Sequence, residues 1–352
     1  MEPMKLKPAV KDYLWGGTRL REEYGVDAPL DKLAEAWMLS CHPQGEDLIE
    51  NGRYQGLTLT QAVKQMGAAC LGTHAQKFAY FPILIKLIDA KDNLSVQVHP
   101  DDAYARRVEK EFGKTEAWYI LDAEEGAELI YGFRREIGQE EFRRRIADGT
   151  LMEVVNRVPV KKGDLFFIEA GTLHAIGKGI LLAEVQQNSN TTYRVYDYGR
   201  VGKDGKPREL HVDQAVEVTH CAPPAHGSKP QGEPEQFNGY VKTLLVSCDL
   251  FTSSVIEAST HAVLTVDASS FVSLIALEGE GVLMSKSCKP LYPGLFLLGA
   301  ATALLVFAAP QTCAAALRQG LALCGGPLLV SLFPFLVVSA LIMRSGAGAS
   351  RS

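Results

Sequence analysis

The chain has 352 residues, 47% hydrophobic and 22% charged, with a formal net charge of −5; that length accommodates two domains with sizeable cores. All 41 acidic residues precede Leu295, and of the 36 basic residues only Arg318, Arg344 and Arg351 follow it, so the body is acidic and lacks the basic face a nucleic-acid partner requires. Seven scattered cysteines with no C-x-x-C pair, and a start without an apolar h-region, argue against a disulfide framework, a cysteine zinc site and a secretory signal, which makes the cytoplasm the expected compartment.

In chain order, "AEAWMLSCHPQG" and "LIENGRYQG" read as short strands between turns, and a helix is expected near Leu59 to Leu71. "FPILIKLIDA" is a β-branched apolar run, hence a buried strand. "LSVQVH" alternates Leu94, Val96 and Val98 with Ser95, Gln97 and His99, the period-two pattern of a strand. "AYARRVEKEF" is a charged, exposed helix; "EAWYILDAEEGAELIYGF" is two strands about an acidic turn; "GQEEFRRRIADGTLMEVVNRV" is a helix with a solvated face. From "VKKGDLFFIEAGTLHAIG" to "TTYRVYD" short strands return at a spacing that favours a barrel or sandwich. Residues 221–239 are Pro/Gly-rich and read as a linker, and three further strand-like runs follow, to Met284.

The chemistry concentrates in "SVQVHP". Gln97 and His99, two apart on a strand, leave the same face. Glu116 opens a strand seventeen residues after His99, and a G-D-x-F-x-x-x-x-G-x-x-H hairpin presents His174. A glutamine, two imidazoles and a carboxylate form a mixed N/O set for a divalent metal with a position open to substrate. Together with the hairpin they point to a cupin-type site in a mainly β chain with a few helices, a β-barrel or jelly roll. Lys114, two residues from Glu116, would face the same side in an extended segment. Arg194 follows "QQNSNTTY", a run too polar for a simple core strand.

"WGG", "AEAWMLSCHPQG", "LSVQVHPDDAYA", "GKTEAWYIL", "GTLHAIGKGILLAEVQQNSNTTYRVYDYGR" and the "GEG" turn stand in the order seen in type I phosphomannose isomerases. Residues 5–284 resemble the short bacterial form of that family. The resemblance implies zinc-dependent isomerisation of mannose 6-phosphate and fructose 6-phosphate through an enediol. It implies one Zn²⁺ per chain on Gln97, His99, Glu116 and His174. Lys114, Arg194 and His42 match catalytic positions, and Lys86 and Ser95 weaker substrate-binding positions. His42, a metal-bound water and a carboxylate all remain candidates for moving the proton. Glu169 stands where the family usually has proline. The rival readings are a non-catalytic sugar-binding cupin module, an iron oxygenase and a membrane-tethered form of the isomerase. The partner expected is a small sugar phosphate.

The resulting division is a catalytic domain over 1–225, a smaller incomplete β domain over 226–290 and an apolar tail over 291–352. Two uncharged stretches of the tail, 291–309 and 321–343, reach bilayer-spanning length as helices, so the tail alone offers a route to membrane association. The tail resembles the N-terminal region of sporulation-associated integral membrane proteins of the nucleoside-recognition (gate) type, which implies a seam between Met284 and Leu291.

Overall fold

The uninterrupted apolar run around Lys86 becomes the strand Ile83–Ala90, buried at all eight residues. It pairs antiparallel with Ile180–Gln187, also buried throughout, and with Glu35–Leu39. The computed structural model of the chain describes residues 3–202, 205–279, 282–285, 290–291, 295–297, 301–306 and 336–342. The chain forms two compact units, Ala9–Gly45 with Ile83–Lys229, and Met1–Pro8 with Glu46–Pro82 and Pro230–Ser352.

The first unit holds two antiparallel sheets. One runs in the order Leu165–Ile168, Glu116–Ala123, Ile180–Gln187, Ile83–Ala90, Glu35–Leu39, Ala9–Lys11. The other runs Val155–Pro159, Glu128–Phe133, His174–Ala175, Val96–Val98, Tyr193–Tyr196. From Ile83 onward, consecutive strands mostly alternate between the sheets. The expected hairpin before His174 is therefore not a paired ladder, since Leu165–Ile168 and His174–Ala175 lie in different sheets. The turn between them carries the chain across, and this crossing brings residues distant in sequence into one interior.

Ile88, Trp118, Ile120, Phe166, Ile168 and Leu182 of the six-stranded sheet pack against Leu129 and Tyr131 of the five-stranded one. The opposite face of the five-stranded sheet is covered by the helices Gln139–Ala147 and Val212–Val218, with Phe133, Phe142, Val96, Val98 and Val216 in a second cluster. Strict alternation would put Phe133 beside Leu129 and Tyr131. Instead the register against Val155–Pro159 slips between Ile130 and Phe133, with Gly132 at φ +67°. This bulge turns Phe133 to the helical side, edge-on to Phe142 at 5.6 Å. The Gln139–Ala147 helix is thus not only a solvated face, and "VVNRV" at its expected end is strand.

In the second unit Thr58 and Gln61 form a reciprocal capping box for the helix Leu59–Met66, shorter than expected because Gly67, at φ +81°, ends it. Tyr240–Ser247 and Thr252–Ala258 pair as a hairpin, and Ile256, Ala262, Val266, Val272 and Leu274 form the core. Within the two apolar tail stretches, Leu295–Leu297, Ala301–Val306 and Leu336–Ile342 are strands, paired into this unit's sheets. They were expected to be helical; an uncharged run does not by itself separate a buried strand from a helix. The remainder of both stretches, with most of the membrane-protein resemblance, lies outside the described residues. No helix among the described residues is long and apolar enough to cross a membrane.

Candidate metal centre

Register explains how the site assembles. Gln97 lies opposite His174 on one side and Arg194 on the other, and His174 lies opposite Tyr131. Directly opposed residues share a face, so Arg194, Gln97, His174 and Tyr131 form a row on the inner face of the five-stranded sheet. Across the interior, Trp37, Lys86, Glu184, Trp118 and Phe166 form the corresponding row. Glu116 is on the same face as Trp118, two residues away.

His99, Glu116 and His174 converge, with ligand atoms within 4.8 Å of one another and all three side chains buried. His99 Nδ1 lies 2.8 Å from the Thr191 carbonyl, and His174 Nδ1 lies 2.8 Å from the Thr172 carbonyl. A carbonyl only accepts, so each Nδ1 carries the proton and each Nε2 presents a lone pair. The two Nε2 atoms are 3.1 Å apart. Two lone pairs so placed cannot bond each other, and a shared cation suits them.

The carboxylate completes that demand. Glu116 Oε1 is buried without a hydrogen-bond donor, 3.4 Å from His174 Nε2, and Oε2 lies 3.8 Å from His99 Nε2. The Lys114 ammonium reaches into the group, 3.0 Å from His99 Nε2 and hydrogen-bonded to Glu116. The donor set fits a divalent metal on protein ligands with room for more. Gln97 lines the adjoining cavity, and its Oε1 accepts from Ser95 Oγ at 3.3 Å.

Burial, then the charges of Lys114 and His174, hold the His99 imidazolium well below its usual range. Burial, then Lys114, brings His174 to about 3. Both rings are neutral ligands at physiological pH. Burial and the Glu184 charge raise Glu116 to about 8 against the pull of Lys114 and Lys86. Burial would also raise Glu184, but Lys114 and Lys86 outweigh it and hold it at about 2.

Glu35, Lys86, Glu184 and Lys114 form a buried chain of alternating charge that ends on the Glu116 carboxyl. Lys86 is 3.8 Å from Glu35 and 3.0 Å from Glu184, and Lys114 is 4.0 Å from Glu184. Trp37 Nε1 donates to Glu35 at 2.7 Å and Trp118 Nε1 to Glu184 at 2.9 Å, fixing both carboxylates. Sequence reading missed Glu35 and Glu184. The available signal was a lone acid inside the apolar run "ILLAEV", since a buried charge requires partners.

A cavity of about 280 Å³ adjoins the triad; Lys86, Ser95, Gln97, Lys114, Glu184 and Arg194 are among its lining residues. Arg194 Nε donates to Ser95 Oγ at 3.2 Å. His42 does not line this cavity. Its ring stands edge-on to Trp37 at 5.6 Å, its Nε2 is 3.6 Å from Glu111, and burial lowers its pKa. A second cavity of similar volume, walled by Glu124, Glu125, Glu128, Arg157 and Lys178 among others, contains none of the expected site residues.

A family model described as phosphomannose isomerase type I, catalytic domain, matches residues 4–133. The mannose-6-phosphate isomerase of Streptococcus mutans is 43% identical over 251 residues, 71% of this chain and 77% of that protein. The crystal structure of the mannose 6-phosphate isomerase from Bacillus subtilis superposes with a TM-score of 0.79 at 31% identity, over 97% of this chain and 99% of that one. A mannose 6-phosphate isomerase solved with zinc and yttrium has the same fold at 19% identity and a TM-score of 0.64, over 87% of this chain and 99% of that one.

Proposed function

Because the chain belongs to the type I phosphomannose isomerase family, whose members are metal-dependent, we propose that it interconverts mannose 6-phosphate and fructose 6-phosphate with Zn²⁺ held by Gln97, His99, Glu116 and His174. The observation that carries this reading is the convergence of two imidazole Nε2 atoms, 3.1 Å apart, on a buried carboxyl oxygen of Glu116 that has no other partner. Bound there, zinc supplies Lewis-acid polarisation of substrate oxygens without redox change.

The chain's own residues account for the rest. Moving a carbonyl between C1 and C2 places negative charge on two neighbouring oxygens as the enediol forms. Lys114 and Arg194, both lining the cavity, offset that charge in a buried setting where it counts most. Lys86, braced between Glu35 and Glu184, and Ser95, bonded to Arg194, hold sugar hydroxyls. Once His99 and Glu116 serve the cation, Lys114 keeps Glu184 as its partner, and this carboxylate, which lines the cavity where His42 does not, is with a water the better-placed candidate proton carrier. We place the catalytic part within residues 1–225 and its work in the cytoplasm.

The test is metal analysis of the purified full-length chain with isomerase assays before and after chelation. Zinc near one per chain, activity lost with chelator and restored by Zn²⁺, is the expected result. A folded, zinc-loaded chain that does not isomerise would leave only a sugar-binding module, and iron with oxygen consumption would replace the isomerase by an oxygenase.

A further inference from the structure

Residues 188–192 carry the chain from Gln187, the end of a strand in the six-stranded sheet, to Tyr193, the start of one in the five-stranded sheet. The crossing belongs to no strand, yet the metal centre depends on it. Its Thr191 carbonyl takes the Nδ1 proton of His99, and Asn190 and Thr192 stand in the cavity wall. Backbone without a ladder needs other partners to fix it. From inside, Gln186 Nε2 donates to the Gln187 and Ser189 carbonyls at 2.7 and 2.6 Å, which holds the start of the crossing but not Thr191.

Glu111 holds the rest. Its Oε2 accepts from the Ser189 hydroxyl at 3.3 Å, the Asn190 N–H at 3.4 Å and the Thr191 hydroxyl at 3.1 Å. Ser189 Oγ in turn accepts from the Thr191 N–H at 3.3 Å. Behind the carboxylate stands His42. The Gln44 N–H donates to His42 Nδ1 at 3.2 Å, so the His42 proton is on Nε2, which faces Glu111 Oε1 at 3.6 Å. The turn that delivers Glu111 follows the helix Asp102–Val108, and in it Lys110 adopts φ +63°, a left-handed conformation usually left to glycine. On the other side of Lys110, Glu109 accepts from the Tyr193 hydroxyl at 2.7 Å. The strained residue therefore sits between two carboxylates that grip the same segment.

We propose that Glu111, braced by His42, is a positioning residue for the metal centre: it fixes the Thr191 carbonyl, which keeps the His99 proton on Nδ1 and aims the Nε2 lone pair at the ion. This rests on the metal-binding part of the reading above. It gives a role to a side chain that does not line the cavity, and it places His42 behind the site rather than in it. Loss of the group that orients a ligating imidazole costs about 10–100-fold in metal affinity. Glu111 acts one bond further out, so the lower end of that range applies.

The experiment compares wild type, Glu111→Ala, Glu111→Gln, Thr191→Val and Glu109→Gln as full-length chains. The readouts are the zinc dissociation constant by chelator competition, the visible absorption of the cobalt-loaded chain, which reports ligand geometry, and urea unfolding of the metal-free chain. Glu111→Ala weakens zinc binding about tenfold and alters the cobalt bands. Glu111→Gln keeps a carbonyl oxygen for the same donors and stays within about threefold of wild type. Glu109→Gln serves as the control for the turn: whatever stability it loses, its zinc affinity stays within about threefold. If Glu111→Ala does not fold, Thr191→Val decides, since it removes the hydroxyl that reaches Glu111 and keeps the carbonyl; it weakens zinc more than about threefold or the assignment fails. An unchanged zinc constant and cobalt spectrum in Glu111→Ala overturn the proposal. A tenfold loss in Glu109→Gln overturns it too, because the turn as a whole would then be responsible. A wild-type chain that binds zinc without turning over hexose 6-phosphate fails the isomerase reading alone, and the affinity comparison still decides Glu111; one that binds no zinc overturns both.

Discussion

Metal uptake at pH 7 is expected to release close to one proton per chain, and nearly all of it from Glu116. Both imidazoles are already neutral there, with His174 at about 3 and His99 well below its usual range, so neither has a proton to give. Burial and the Glu184 charge raise the Glu116 carboxyl to about 8, so in the metal-free chain it holds a proton at neutral pH where an ordinary carboxylate would not. A metal ligand must be the carboxylate. Release is therefore expected to be most of a proton at neutral pH and to fall away as pH rises through about 8. A site of two ordinary imidazoles and an ordinary carboxylate behaves otherwise, releasing about 0.5 at pH 7 and about 1.5 at pH 6. The assay adds zinc chloride to chelator-stripped protein in weak buffer and counts protons with an indicator dye from pH 6 to 9. Release below about 0.3 proton at pH 7, or a steep fall between pH 6 and 7, refutes the reasoning. The same raised pKa has a stability consequence. The folded state holds a proton that the unfolded state gives up above about 4.5, so the Glu116 contribution favours the metal-free fold at low pH and is lost as pH rises towards 8.

Glu184→Gln keeps an acceptor for Trp118 but leaves Lys86 and Lys114 short of an anion. It is expected to cost on the order of 3 kcal/mol in urea unfolding of the metal-free chain at pH 7, and a cost under about 1 kcal/mol would show that the buried charges are not cooperating. The wild-type contribution is present above pH 4.5 and lost as pH falls towards 2, because the folded pKa of Glu184 is the depressed one. Gly171→Ala probes the turn that presents His174. Gly171 sits at φ +88°, its N–H donates to the His99 carbonyl at 2.8 Å, and its carbonyl accepts from the His220 N–H at 2.8 Å. An added Cβ would cost about 1–2 kcal/mol in backbone strain and meet the exposed His220 ring at 2.8 Å. Zinc affinity measured by chelator competition should fall with stability, and unchanged affinity would separate the turn from the metal site.

The part of the site legible in sequence was the part set by local periodicity. Gln97 and His99 were placed on one face by alternation alone, and Lys114 and Glu116 by the same spacing argument. What sequence left hidden depends on strand pairing across long separations. That Gln97 would lie between His174 and Arg194 requires the order Tyr193–Tyr196, Val96–Val98, His174–Ala175 in the sheet, and no single stretch encodes it. Glu35 and Glu184 stayed hidden for a related reason: each looks like an interruption of an apolar run until Lys86 is seen between them. Glu111 falls at the end of a charged run that reads as an exposed helix, and only its hydrogen bonds to residues 189–191 single it out. The tail was misread as helix where it is described because length and lack of charge were the only signals there.

Under the ligand set proposed above, the cross-strand row through Gln97 also makes metal binding a proofreader of the fold. The strand Val96–Val98 has Gln97 facing the cavity and two valines facing Phe142 and its neighbours. A slip of one residue against either neighbour would turn Gln97 and His99 into that apolar cluster and bring the valines into the cavity. A chain paired in that register holds the ligands apart and gains nothing from the ion. Only the correct register collects the binding free energy, so the metal selects among pairings that hydrophobic contacts alone separate less sharply.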